Sequence, residues 1–373
     1  MAFLFCDSFD HYSAAQILYK YNIVANSTAG TFQISNGRRG GKGFNGQNTG
    51  TGGAGGAGPG LILVPGNGDN IVTTGMAFTT DSLNWSANGS TSPTGGQNMF
   101  AVYDVGLAVQ MWFRMNVDGT ISAYRQAAGP TGVLLATTTE AISTNNRVYI
   151  EFQAKIATGT AGFVKVRFDG ITVMNTSSIN TGGNGTSVYN AVLWGFWNRI
   201  SNSGGTLTYN WDDVYLLDGV DSTATEGVPM NDFLGDQRID VGIGTTDGNY
   251  SQWARSAGSS NLANIDENPG NDDTDYNETD GVNNIDTFNF SSPIANTTFN
   301  AIQLPTIGKK TDSGPSNYKG VFRAGGVDYL TAQEKAFSAS YQAKRTWFVK
   351  NPNTGALFVS ADFPVEMGYK KTA

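Results

Sequence analysis

Two Asp-Gly pairs, Asp118-Gly119 and Asp169-Gly170, each sit between runs rich in Val, Ile, Phe, Tyr and Met. Such a pair between β-forming runs marks a tight hairpin, because both central positions of a type I′ turn take positive φ. Alternation agrees: in the run from Phe163 to Phe168, Lys165 and Arg167 fall on one face and Val164, Val166 and Phe168 on the other. Similar runs at 98–103, 107–117, 120–125, 147–156, 162–168, 191–197 and 206–217 are bounded by Gly, Asn or Asp and predict strands. The best helical pattern is short, at 331–340, with Thr331 as cap and Glu334 three residues on. The segments 347–349 and 356–359 predict a hairpin around a five-residue loop. The chain therefore reads as all-β.

Composition narrows the chemistry. Of 373 residues, one is Cys (Cys6) and one is His (His11), so no internal disulfide and no Cys/His zinc site can form within one chain. Any His-dependent triad would have to use His11, and no Gly-x-Ser-x-Gly elbow is present. The net charge of −8 argues against nucleic acid as a partner. No run approaches the length of a membrane-spanning helix, and the opening Met-Ala-Phe-Leu-Phe-Cys-Asp is too short for a secretory signal; no membrane insertion is expected, and synthesis in the cytoplasm is.

A polar stretch without aromatics at 219–229 suggests a boundary, giving domains 1–228 and 229–373. The second part is polarised: 229–290 holds 2 basic and 12 acidic residues, 291–373 holds 10 and 5. The two stretches either neutralise each other within one fold or make contacts between subunits of a homo-oligomer.

Few segments offer chemistry. Residues 37–60 contain 12 Gly in 24 positions, but no phosphate-binding register, and read as a long flexible loop. The acidic stretch 266–280 places Asp273, Asp275 and Asn277 at the alternate spacing of a calcium loop, although the EF-hand Gly and Glu positions are not matched. Calcium is the one cofactor considered. Trp194 and Trp197 flank Phe196 and are candidates for stacking on sugar rings, with core packing as the alternative. Asp212 and Asp213 are adjacent on a strand, so they point to opposite faces and do not form the carboxylate pair of a glycosidase.

The opening Met-Ala-Phe-Leu-Phe-Cys-Asp-Ser-Phe-Asp-His-Tyr, the Gly-Arg-Arg-Gly-Gly-Lys-Gly-Phe at 37–44 and the Tyr-Asn-Trp-Asp-Asp-Val-Tyr-Leu-Leu-Asp-Gly at 209–219 resemble concanavalin A-like (laminin-G-like) jelly rolls of tailed-bacteriophage virion proteins. Asn231-Asp232-Phe233-Leu234-Gly235-Asp236, followed by Gln252-Trp253, resembles the C-terminal half of the same proteins. The resemblance implies a concanavalin A-like sandwich at 1–228 and a second, smaller β-sandwich at 229–373 for anchoring or oligomerisation. It also implies a virion location, with capsid or tail proteins as partners. With so few charges and one His, the expectation is a non-enzymatic structural protein: a capsid decoration, fibre or tail appendage. The alternatives are a module binding a host receptor or surface glycan and, last, a polysaccharide-degrading enzyme.

Overall fold

The computed structural model describes residues 3–25, 30–49, 59–65, 68–83, 96–125, 132–183, 185, 187–197, 206–219, 231–267, 271 and 273–373. The chain forms two compact units: Met1–Asp10 with Tyr21–Ile239, and His11–Lys20 with Asp240–Ala373. The expected boundary at 219–229 lies, apart from Gly219, outside the described residues.

The first unit is an all-β jelly-roll sandwich. Its strands are β1 (Phe3–Asp7), β2 (Ile23–Ala25), β3 (Gly30–Asn36), β4 (Lys42–Thr49), β5 (Gly60–Leu63), β6 (Ile71–Thr80), β7 (Gly96–Tyr103), β8 (Val109–Asn116), β9 (Ile121–Arg125), β10 (Val133–Thr137), β11 (Val148–Lys155), β12 (Gly162–Phe168), β13 (Ile171–Ile179), β14 (Ala191–Trp197) and β15 (Thr206–Leu217). Sheet A runs β13-β12-β11-β6-β15-β4-β3, with β1 also on β15; sheet B runs β10-β9-β8-β7-β14-β5-β2. The inward positions make the core. Phe100 of sheet B stacks on Phe152 of sheet A at 5.4 Å, and Phe113 lies 4.6 Å from the same ring. On β12 the expected alternation holds: Val164, Val166 and Phe168 are buried, while Lys165 and Arg167 are half-buried on the outer face.

Both Asp-Gly hairpins form, by different turns. Asp169 and Gly170 both take positive φ, 47° and 81°, as a type I′ turn requires. At Asp118-Gly119 only the glycine does, at 83°. There the Asp118 carboxylate accepts from the Thr120 amide at 2.9 Å and hydroxyl at 2.6 Å. The Gly119 amide bonds back to Asn116 O and the Asn116 amide to Thr120 O, which makes a three-residue connection. The Gly-rich stretch is only partly a loop. Its half from Lys42 to Thr49 is strand β4, and Gly46 is needed because a Cβ there would lie 2.0 Å from Tyr209 Cζ. Residues 50–58 lie outside the described residues.

The second unit continues with β16 (Gly244–Ser251), β17 (Ala254–Arg255), β18 (Asn277–Glu278), β19 (Ile285–Phe290), β20 (Thr298–Phe299), β21 (Ile302–Gly308), β22 (Asn317–Ala324), β23 (Val327–Leu330), β24 (Lys335–Ala336), β25 (Gln342–Phe348), β26 (Phe358–Val359) and β27 (Val365–Lys371). One sheet runs β16-β19-β27-β22-β23, with β24 on β22; β17-β18, β20-β26 and β21-β25 form separate pairs. Phe322, Phe348, Phe358, Val365 and Met367 form its core.

Two sequence readings fail here. The segment 331–340 is not helical. Thr331 Oγ1 accepts from the Gly320 amide of β22 at 3.0 Å instead of capping a helix, and Phe337 stacks on Tyr318 at 5.0 Å. Tertiary pairing outcompetes a marginal two-turn propensity. The chain does turn at Asn351, whose carbonyl accepts from the Gly355 amide. The flanking strands, however, pair elsewhere: β25 on β21 and β26 on β20.

Candidate functional site

The seven strands of sheet B carry no Asp or Glu; their ionisable side chains are Tyr103, Arg114, Tyr124 and Arg125. On β8 the inward residues are Met111, Phe113 and Met115, so Trp112, Arg114 and Asn116 stand on the outer face. The register with β9 sets Trp112 opposite Tyr124 and Arg114 opposite Ser122. The register with β7 sets Asn98 opposite Arg114.

These side chains are wired together. Arg114 donates from Nη2 to the Tyr124 hydroxyl, and its guanidinium carbon lies 4.5 Å from the Tyr124 ring centroid. Arg114 Nε donates to Asn116 Oδ1 at 3.3 Å. The Asn116 amide nitrogen in turn donates to Thr120 Oγ1 and Ser122 Oγ, both at 2.8 Å. Trp112 stacks on Tyr124 with ring centroids 4.6 Å apart. Arg114, Asn98 and Trp112 are buried, while Tyr124 is half-buried. Burial pulls the Arg114 guanidinium below its ordinary value, and the phenol oxygen of Tyr124 partly offsets this. The result is a desolvated cation beside a phenol on strands that carry no Asp or Glu. An anionic group brought to this cation would meet no carboxylate of the strands themselves.

The outer face of sheet A is its opposite in character. Glu151 Oε1 accepts from the Tyr215 hydroxyl at 2.5 Å and from the Gly235 amide at 2.8 Å. Asp213 lies at a bulge in β15, with φ 50°, and Asp212 accepts from the Arg38 amide. Burial is the first cause raising all three carboxyl groups, Asp212 to about 7. The residues 231–239 lie over them.

The residues singled out in the sequence fall elsewhere. Trp194 points inward, 1% exposed. It donates from Nε1 to Thr74 Oγ1 at 3.1 Å and packs on Phe5 and Phe100. It is a core side chain in a sandwich position where no sugar ring can reach it. The side chain of Trp197 lies outside the described residues; its backbone pairs with Asn98. Asp273, Asp275 and Asn277 are not drawn to a common point by the hydrogen bonds they make. Asp273 accepts from Lys309 Nζ at 2.8 Å and from the Tyr341 hydroxyl at 2.9 Å. Asn277 donates to Asn261 O at 2.8 Å. Among the described residues, no group of three or more His, Cys, Asp or Glu side chains is placed to hold a metal ion. The Lys309–Asp273 pair joins the basic stretch to the acidic one within one fold.

No family model matches the chain, and no curated protein matches it. Several solved structures do. An endo-β-1,4-glucuronan lyase from the fungus Trichoderma reesei is 17% identical, with a TM-score of 0.43 over 54% of this chain and 92% of that one. An alginate lyase from Aplysia kurodai is 12% identical, with a TM-score of 0.40 over 58% and 99%. An alginate lyase from Chlorella virus is 14% identical, with a TM-score of 0.39 over 54% and 96%. At these identities the likeness is one of β-sandwich architecture.

The expectation of a non-enzymatic docking protein is corrected on this point. The structures it is similar to are a glucuronan lyase and two alginate lyases; that likeness is of architecture alone, and what answers the expectation on this chain is the set of ionisable and hydrogen-bonding groups on one face of sheet B. Scarcity of His and of charge does not exclude catalysis that needs one arginine and one tyrosine.

Proposed function

We propose that the protein degrades an acidic polysaccharide by β-elimination on the outer face of sheet B. The observation that carries this is the Arg114–Tyr124 pair, set beside Asn98 on strands that hold no carboxylate. Hydrolysis of a glycosidic bond calls for two carboxyl groups flanking it, which these strands do not supply. Elimination from a uronic acid calls for something else. The sugar carboxylate must be neutralised so that the proton on the adjacent carbon becomes acidic. A base must then take that proton, and an acid must protonate the departing oxygen.

Arg114 and Asn98 are placed to hold the uronate carboxylate, the guanidinium cancelling its charge and the amide donating a hydrogen bond. Tyr124 is placed to move the proton. Its oxygen, when ionised, accepts the C5 proton, and the phenol so formed gives a proton to O4 as the C4–O4 bond breaks and the C4=C5 double bond forms. Arg114, donating to the same oxygen, stabilises the negative charge while the proton is away. The half-buried Tyr124 ring, backed by the buried Trp112 stacked on it, offers an apolar face to a sugar ring.

The test is incubation of the protein with homopolymers of mannuronate, guluronate, glucuronate and galacturonate, followed by mass spectrometry of the fragments. Fragments lighter than hydrolysis products by one water support elimination. Fragments carrying the added water, or intact polymer in every case, refute it.

A further inference from the structure

We propose that the second unit binds a tetrahedral oxyanion, phosphate or sulfate, through Lys335 of β24, Lys344 of β25 and the hydroxyls of Tyr318, Thr306 and Thr346. Strand pairing brings these five side chains together. Lys335 lies opposite Tyr318 in the β22–β24 pair, and Lys344 opposite Thr306 in the β21–β25 pair. Thr346 is two residues along β25 from Lys344, so both stand on one face of that strand. Its methyl group rests where Gly320 of β22 has no side chain: a Cβ there would lie 2.2 Å from Thr346 Cγ2. Gly320 is in turn two residues from Tyr318, on the same face of β22.

The three hydroxyls leave their bonds unmade. Tyr318 is 3% exposed and Thr346 2%, yet the oxygens of Tyr318, Thr306 and Thr346 are all buried without a hydrogen-bond partner. They do face one another: burial raises the Tyr318 phenol to about 12, and the two threonine hydroxyls pull it the other way. Buried hydroxyls without partners cost stability, and an acceptor placed among them removes that cost.

The charges point the same way. Lys335 and Lys344 are both half-buried, and among the described residues neither makes an ion pair. Lys335 Nζ donates only to Gln333 Oε1, at 3.2 Å. The acid beside it in sequence, Glu334, accepts instead from Asn317 Nδ2 at 2.9 Å. Burial pulls both ammonium groups below their ordinary value, and Arg345 adds to this for both, with Lys344 adding to it for Lys335. No carboxylate offsets these influences. Arg345, on the opposite face of β25, donates from Nη2 to Lys20 O at 2.5 Å. The fold thus holds like charges near one another, and an anion between them would relieve the repulsion. Two ammonium groups match a double negative charge. The donors come from four strands, which suits the four oxygens of a tetrahedral ion better than the two coplanar oxygens of a carboxylate.

Titration calorimetry on the whole chain at low ionic strength, with inorganic phosphate, inorganic sulfate and glucose 6-phosphate, tests this. The proposal expects at least one inorganic anion to bind, with affinity roughly tenfold or more lower in Lys335→Gln and in Lys344→Gln. Binding of glucose 6-phosphate as tight as that of phosphate makes an ester group the natural ligand; weaker binding makes it the free ion. Acetylation of the wild-type chain, read by mass spectrometry, locates the site without any variant: phosphate or sulfate should slow modification of Lys335 and Lys344 and leave Lys319 and Lys370 unchanged. No binding of either inorganic anion to the wild type, unaltered affinity in both variants, or acetylation of Lys335 and Lys344 that ignores the anion overturns the proposal.

Discussion

Arg114 and Tyr124 meet across the β8–β9 hairpin, the guanidinium donating to the phenol oxygen on strands that carry no Asp or Glu. If this arginine neutralises a sugar carboxylate, Arg114→Met should weaken binding of an acidic oligosaccharide by about 10- to 100-fold. Arg114→Lys should recover only part of the loss, since an ammonium cannot fork to a carboxylate. Isothermal titration with an inert oligouronate checks both; unchanged affinity in Arg114→Met removes the arginine from the site.

Asn116 positions that arginine. Its amide nitrogen donates to Thr120 Oγ1 and Ser122 Oγ, and its oxygen accepts a hydrogen bond from Arg114 Nε. Asn116→Ala removes one of the bonds that orient the guanidinium, so KM should rise by about tenfold with the stability of the fold changed by only about 1 kcal/mol. Steady-state kinetics alongside urea denaturation separates the two effects.

Gly75 lies where Tyr215 and Tyr149 cross β6: a Cβ there would come 2.3 Å from Tyr215 Cε1 and 2.9 Å from Tyr149 Cε1. Both rings are fully buried and hydrogen-bonded, so they cannot step aside cheaply. Gly75→Ala should cost about 1–3 kcal/mol. Trp194→Ala, which empties the core between the sheets, should cost about 3–5 kcal/mol. Denaturant midpoints measure both.

The second unit has its own pH signature. Asp286 is fully buried, holding the Trp253 amide and the Asn261 side chain. Burial raises it to about 6, against the hydrogen bonds that pull it down. Its contribution is complete below about pH 4 and is lost as pH rises through about 6. Calorimetry should show the melting of this unit shift downward across that window, with Asp286→Asn reducing the slope.

Much of the architecture was legible because it is local. The alternation in β12 and the Asp169-Gly170 turn declare a hairpin and its faces without help from distant residues. The β14 run from Ala191 to Trp197 does not, because it is apolar on both faces and a period of two cannot say which way Trp194 points. Asp273 meets Lys309 and Tyr341, partners more than thirty residues away, so no spacing within 266–280 reveals them. Arg114 and Tyr124 carried a signal that went unread. Counting outward from Asp118-Gly119 places them on one face of the hairpin, and the strands that prove to be their neighbours lack acids altogether. The helix expected at 331–340 failed for the converse reason: its residues had better partners on β22.

The central claim stands or falls on Tyr124. Wild-type protein, Tyr124→Phe and Arg114→Met should each be mixed with the polyuronates, and the ultraviolet absorbance of the unsaturated sugar end followed in time. The account requires a steady rise with the wild type on at least one polymer and a rate roughly 100-fold or more lower with Tyr124→Phe, the folds being unchanged. A flat trace for the folded wild type on every polymer, or equal rates with and without the phenol, contradicts it.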